Sequence, residues 1–219
     1  MSGAPQDQEN STDRSVEHWD RVYATKAEST LGWYEADFST TLNFLGEVPI
    51  AGKRIFLAGV GLSGVARKLA ERGGKVILND LSRVAIEKLI ARDHLDDFAA
   101  ELAVGDLGSI DEEPRIATCD VWLDRAVLHF IYEDANLAAY FKRVRASVAL
   151  GGYAMFAEFA PGGATKCSNL PTKQYSPADL AERLGSDFSL VRAQETEYVT
   201  PGGNVRPYTF ALFHRVRVT

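Results

Sequence analysis

Three acids, Asp80, Asp106 and Asp124, stand at the ends of apolar runs, and three glycines, Gly59, Gly61 and Gly64, follow a further run at 55–58. Glycines there let the chain turn sharply and bring its backbone against a ligand, while a helix that starts at once aims its free amides at the same spot. A carboxylate ending the next apolar run, Asp80, is then placed to accept from ribose hydroxyls. Loop, helix and acid at this spacing point to an adenosine-type ligand. Asp106 repeats the pattern of an acid at the end of a strand. Arg125 reads two ways, as a clamp for an anionic substrate or as the partner of Asp124 in a salt bridge. His129 does too, as a general base, a task that suits an imidazole's titration near neutrality, or as a structural histidine between Leu128 and Phe130. Trp19, Tyr23, Trp33 and Tyr34 supply an aromatic cover and wall for ligands, with Trp19 serving equally well as core. Glu158, Cys167 and Tyr175 are candidates for lining a substrate pocket.

These residues need elements to hold them. The run 55–58 is short and continuous, as in a strand buried on both faces of a parallel sheet. Val65 and Leu69 give the following helix one apolar stripe, and 75–78 is a second strand. Residues 1–12 read as a disordered tail. Thr12 or Asp13 caps a helix to about 26, an aromatic loop follows at 31–35, and 38–45 is a short helix. Beyond Asp80, Ser82 caps a helix to about 92, and 98–104 is a third strand. After a polar loop at 108–115, residues 119–123 form a fourth strand, and a helix runs from 134 to about 149. Gly151-Gly152 breaks that helix before strand five at 153–159. A loop at 160–175 precedes a helix at 176–184 with Pro177 in its first turn. The segments 188–198 and 206–218, joined through Pro201-Gly202-Gly203-Asn204, read as a hairpin. Alternating strands and helices predict an α/β, Rossmann-like, doubly wound sheet.

The 219 residues fit one domain, 1–219, with a lid at 13–50 and a core at 51–219. With 24 Lys and Arg against 30 Asp and Glu, the net charge of −6 argues against a nucleic-acid partner. No apolar run approaches the roughly 20 residues that span a bilayer, and the polar N-terminus lacks a signal peptide's apolar segment. A cytoplasmic protein with no membrane partner is expected, as a monomer or weak homodimer. Two cysteines, Cys119 and Cys167, are too few and too far apart for a zinc-spacing motif or a disulfide framework, so no metal is expected.

Taken together, these stretches resemble the class I S-adenosylmethionine (SAM) dependent methyltransferases. Gly59-x-Gly61 resembles their first motif, Asp80 their ribose acid, and Gly105-Asp106 the element beside the adenine. The stretch from Trp122 through Asp124, Arg125 and His129 to Phe130 resembles the fourth motif, and Leu150-Gly151-Gly152-Tyr153 the glycine turn before strand five. His18-Trp19-Asp20-x-x-Tyr23 through Gly32-Trp33-Tyr34 is similar to the aromatic lid of thiopurine and thiol methyltransferases. The stretch 124–130 and Lys166-Cys167-Ser168-x-Leu170 are similar to a subgroup related to methyltransferase-like protein 12. The resemblance implies a seven-stranded sheet, parallel except for one strand of a C-terminal hairpin. It also implies SAM as cofactor, held by Gly59, Gly61, Ser63, Asp80, Leu81, Asp106, Leu107, Asp124 and Trp33, with a small-molecule acceptor against Trp19, Tyr23, Tyr34, Glu158, Cys167 and Tyr175. His129 and Arg125 would then stand beside the transferred methyl. The family usually carries an acid two residues before the first glycine, where this chain has Leu57. Asp124, backbone carbonyls or water are the replacements for it that the sequence offers. A protein-lysine methyltransferase and a non-catalytic SAM-binding protein are the alternatives, whereas a short-chain dehydrogenase would need a Tyr-x-x-x-Lys that does not occur.

Overall fold

The computed structural model describes residues 15–111 and 116–216; the tail at 1–12, with Thr12 and Asp13, lies outside them. Seven strands form one sheet in the order β3-β2-β1-β4-β5-β9-β8. They are β1 (Arg54–Ala58), β2 (Lys75–Leu78), β3 (Glu101–Leu102), β4 (Cys119–Arg125), β5 (Val148–Phe159), β8 (Phe188–Val199) and β9 (Val205–Arg215). β1 to β5 pair in parallel, and β9 runs antiparallel to both β5 and β8. This is the Rossmann-like sheet with one reversed strand that the sequence predicts.

Alternation along each strand sends side chains to opposite faces. One face packs against α1 (Val16–Thr25), α2 (Ser39–Leu45), α3 (Val65–Glu71) and α4 (Arg83–Asp93), and takes Ile55, Leu57, Val121 and Leu123. The other packs against α5 (Asp134–Ser147) and α6 (Pro177–Leu184), and takes Phe56, Ala58, Trp122 and Phe156. Burial on both faces explains why 55–58 shows no polar alternation.

Helix starts follow their caps. Ser15 Oγ accepts from the His18 amide at 3.3 Å, Ser82 Oγ from the Ala85 amide at 3.1 Å, and Ser176 forms a reciprocal capping box with Asp179.

Three expectations are corrected. The predicted third strand at 98–104 shrinks to two paired residues. Ala99 turns left-handed (φ 51°) after a short 3-10 helix, Leu95–Phe98, and so cuts the run. Gly151 and Gly152 lie inside β5 instead of ending α5, which stops at Ser147; their irregularity appears as a register shift between β4 and β5. The loop at 160–175 folds into a small antiparallel pair, β6 (Lys166–Cys167) and β7 (Leu170–Pro171), which buries Cys167. No helix among the described residues is long and apolar enough to cross a membrane.

Candidate functional site

A crevice opens over the C-terminal ends of β1, β2 and β4, beneath α1 and the segment 28–41. It has two lobes of about 620 and 640 Å³, including their mouths, which share Trp33, Gly59 and Arg125.

The first lobe holds Asp80, Leu81, Asp106 and Leu107, roofed by Trp19, Tyr23 and Trp33 and floored by Val127, Phe130 and Ile131. Asp80 accepts from the Gly61 amide (2.8 Å, Oδ2) and the Ser82 amide (2.8 Å, Oδ1). Burial dominates its titration and pushes it up to about 6, although these amides pull the other way. Asn79 joins three strand ends: its Oδ1 accepts from the Gly59 amide at 3.2 Å, and its Nδ2 donates to the carbonyls of Ala103 (2.6 Å) and Gly105 (3.0 Å). Asp106 folds its own loop through the Gly108 amide at 2.7 Å.

The glycine turn is shaped by the chain's own side chains. Gly59 (φ 49°) and Gly61 (φ 51°) are left-handed. A Cβ would meet Val127 Cγ2 at 2.2 Å in the first case and the Tyr23 hydroxyl at 2.5 Å in the second.

The second lobe lies over Leu57, Gly59, Ser63 and Leu123 and is closed by Trp33, Tyr34, Glu35, Phe38 and Thr41. Arg125 points into it because β4 alternation puts Leu123 and Arg125 on the lid face. Its partner is Glu35, with Nη2 3.2 Å from Oε1, and Nη1 donates to the Trp33 carbonyl at 2.9 Å. The predicted pairing of Arg125 with Asp124 is therefore not formed.

Alternation also corrects the role given to Asp124. Fully buried on the opposite face, it accepts from the Tyr140 hydroxyl and, at 3.1 Å, from the Val127 amide. It lines neither lobe and is turned away from Leu57, so it does not replace the missing acid there. Glu158 and His129 are likewise fully buried, with Nδ1 2.7 Å from Glu158 Oε2 and the ring stacked on Phe159 at 4.4 Å. His129 lines neither lobe, as its structural alternative expects. Burial pushes both carboxyls up, Glu158 to about 7, and the neighbouring Glu158 adds to the rise at Asp124. Their function is local: Asp124 takes the Val127 amide and Glu158 the His129 amide at 3.2 Å. Those donors belong to the turn after β4, where Ala126 is left-handed (φ 65°). Two buried acids thus pin the crevice floor.

Cys167 and Tyr175 are buried outside both lobes, as is Glu158, so the structure does not bring these three to the crevice wall. The Cys167 thiol accepts from Arg206 at 3.6 Å; burial opposes its ionisation, but the His129 and Arg206 contacts outweigh that and pull its titration down. Gly61 contributes its amide to Asp80 and does not line a lobe. Gly59, Ser63, Asp80, Leu81, Asp106, Leu107, Trp33, Trp19, Tyr23, Tyr34 and Arg125 all do. Sequence reasoning missed Asn79, Glu35, Thr41 and Val127. Asn79 had a signal, a polar residue ending an apolar strand beside an acid; the others become visible only when the lid folds over the sheet.

The sequence matches no family model and no curated protein. Solved structures match by fold. The N-methyltransferase NodS of Bradyrhizobium japonicum WM9, in complex with S-adenosylhomocysteine, superposes with a TM-score of 0.72 at 12% identity, over 94% of this chain and 100% of that one. A structure from work on the conversion of a disulfide bond into a thioacetal group during echinomycin biosynthesis gives 0.68 at 20% identity, over 92% of each chain. A SAM-dependent methyltransferase of Anabaena variabilis ATCC 29413 gives 0.68 at 14%, over 91% and 93%. At these identities the likeness establishes the fold, that of SAM-dependent methyltransferases.

Proposed function

We propose that the protein is a SAM-dependent methyltransferase that transfers a methyl group to a sulfur, nitrogen or oxygen nucleophile of a small molecule. The observation that carries this reading is a single crevice joining Asp80, at the end of β2, to the left-handed glycine turn at the end of β1, under an aromatic roof. NodS, with the same fold, was crystallised with S-adenosylhomocysteine, which supports the same cofactor here.

The residues present fit that cofactor. An ionised carboxylate offers about four acceptor sites, and Asp80 leaves room for a ribose diol beside the Gly61 and Ser82 amides. Asp106, Leu107 and Ile131 would flank the adenine, and Gly59, Ser63 and the second lobe would take the amino-acid end. SAM supplies a methyl already activated as a sulfonium, so the chain's task is alignment and exclusion of water. Trp19, Tyr23 and Trp33 roof the first lobe and Trp33 also lines the second, and aromatic faces so placed would attract a sulfonium by about 0.5–2 kcal/mol. Neither imidazole nor thiol lines the crevice among the described residues. Acceptors that carry a free lone pair or thiolate near neutral pH, such as weakly basic amines and thiols of low pKa, ask least of such a site.

Incubation with methyl-labelled SAM and a panel of small thiols, amines and hydroxyl compounds tests the proposal. Labelled small-molecule product with release of S-adenosylhomocysteine is expected. Label appearing solely on lysines of added protein would favour the protein-lysine alternative, and binding without turnover on any panel the non-catalytic one.

A further inference from the structure

The second lobe sits where the amino-acid end of SAM would lie, yet its floor carries Leu57 in place of the usual acid. A zwitterion placed there needs an acceptor for its ammonium and donors for its carboxylate, because a buried unpaired charge is costly. Two acids line this lobe, Glu28 and Glu35. Glu28 is committed to Arg92. Glu35 instead faces Arg125, their side chains 10% and 13% exposed.

Arg125 is held in place from several sides. The Trp33 carbonyl takes Nη1, and the rings of Tyr198 and Tyr208 lie 5.4 and 5.8 Å from the guanidinium carbon. Its Nε has no hydrogen-bond partner among the described residues, and neither has the Thr41 hydroxyl, which lines the same lobe at 1% exposure. A buried polar group without a partner is costly, and these two belong to residues that line the lobe a ligand would fill.

We propose that Glu35 and Arg125 form a zwitterion receptor in which the lid-borne Glu35 accepts the cofactor's α-ammonium, in the place of the absent strand acid, while Arg125 binds the α-carboxylate. The assignment rests on the SAM reading given above. The ion pair already present is the complement of a zwitterion: a fork of donors beside a carboxylate, closed over one another and ready to admit a second pair of opposite charges. Thr41 supplies a third polar contact from α2. Because Glu35 and Thr41 belong to the segment that closes the crevice and Arg125 to the sheet, a bound amino-acid end bridges the two. The cofactor would thereby hold its own lid shut, which a strand-borne acid does not do.

Calorimetric titration with S-adenosylhomocysteine, its des-amino analogue and 5′-methylthioadenosine, which lacks the amino-acid end, tests this. The wild-type chain should bind S-adenosylhomocysteine at least tenfold more tightly than the des-amino analogue. Glu35→Gln should remove most of that difference while leaving 5′-methylthioadenosine affinity within about twofold, the second ligand serving as the check that the variant's crevice is intact. Equal wild-type affinity for the amino and des-amino ligands would overturn the proposal without recourse to any variant. So would an E35Q chain that weakens all three ligands alike, since Glu35 would then merely shape the lid. If the wild-type chain binds none of the three, the SAM reading itself falls and this assignment with it.

Discussion

In the proposed cofactor site, Asp80 is the residue on which affinity should turn. Its carboxyl titrates near 6 in the folded chain because burial disfavours the charge, whereas ribose hydroxyls donate best to the ionised form. Binding therefore competes with a proton below pH 6. Affinity for S-adenosylhomocysteine should fall about tenfold between pH 7 and pH 5, and Asp80→Asn should bind more weakly with that pH dependence reduced. Titration calorimetry at three pH values measures both. Asp80 was legible in the sequence because a strand-end acid at a fixed distance from a glycine turn is a local pattern. Asp124 was misread for an equally physical reason: a strand end places two consecutive residues on opposite faces, and motif likeness does not say which one faces the ligand.

At the scale of elements, the turn after β4 is held by acids that never reach the crevice. Glu158 carries a pKa of about 7, against the 4.5 of a free glutamate. The folded chain thus binds more protons than the unfolded chain between about 4.5 and 7. Its contribution to stability is complete below that window and is lost as pH rises through 7. Thermal melts should show the unliganded protein losing the stability that Glu158 contributes from about pH 5 to pH 7, and Glu158→Gln should flatten that slope. The glycine turn offers a second test. Gly59→Ala puts a Cβ into Val127 at a positive φ, and the strain of the one together with the overpacking of the other should cost about 2–4 kcal/mol, read as a lowered urea midpoint. Strand and helix positions up to α4 follow from local apolar runs, with Ser82 the cap expected for α4, whereas α1 is capped by Ser15 and not by the Thr12 or Asp13 that the sequence suggests. β3 and the glycines of β5 escaped because an edge pairing and a bulge depend on neighbours distant in sequence.

Across the molecule, the closing hairpin does more than complete the sheet. Tyr198 on β8 donates to the Tyr34 carbonyl at 2.5 Å, and Arg192 donates to the Asn43 carbonyl at 3.2 Å while lying 4.6 Å from the Phe44 ring. The lid segment and the closing hairpin thus meet beside the crevice, an arrangement no local sequence pattern announces. Tyr198→Phe should leave the melting temperature nearly unchanged and weaken cofactor binding a few-fold by loosening the lid. Of the three tryptophans, Trp19 and Trp33 line the crevice and Trp122 is fully buried beneath the sheet. Ligand binding should therefore change the emission of the wild-type chain, with most of the change gone in Trp33→Phe. The most direct measurement is calorimetric titration of the wild-type protein with S-adenosylhomocysteine at pH 7.5, beside Asp80→Ala and NAD as controls. Saturable one-to-one binding, weakened at least tenfold by Asp80→Ala and absent for NAD, is the predicted result. No heat of binding with either S-adenosylhomocysteine or SAM would contradict the assignment of this crevice as a cofactor site.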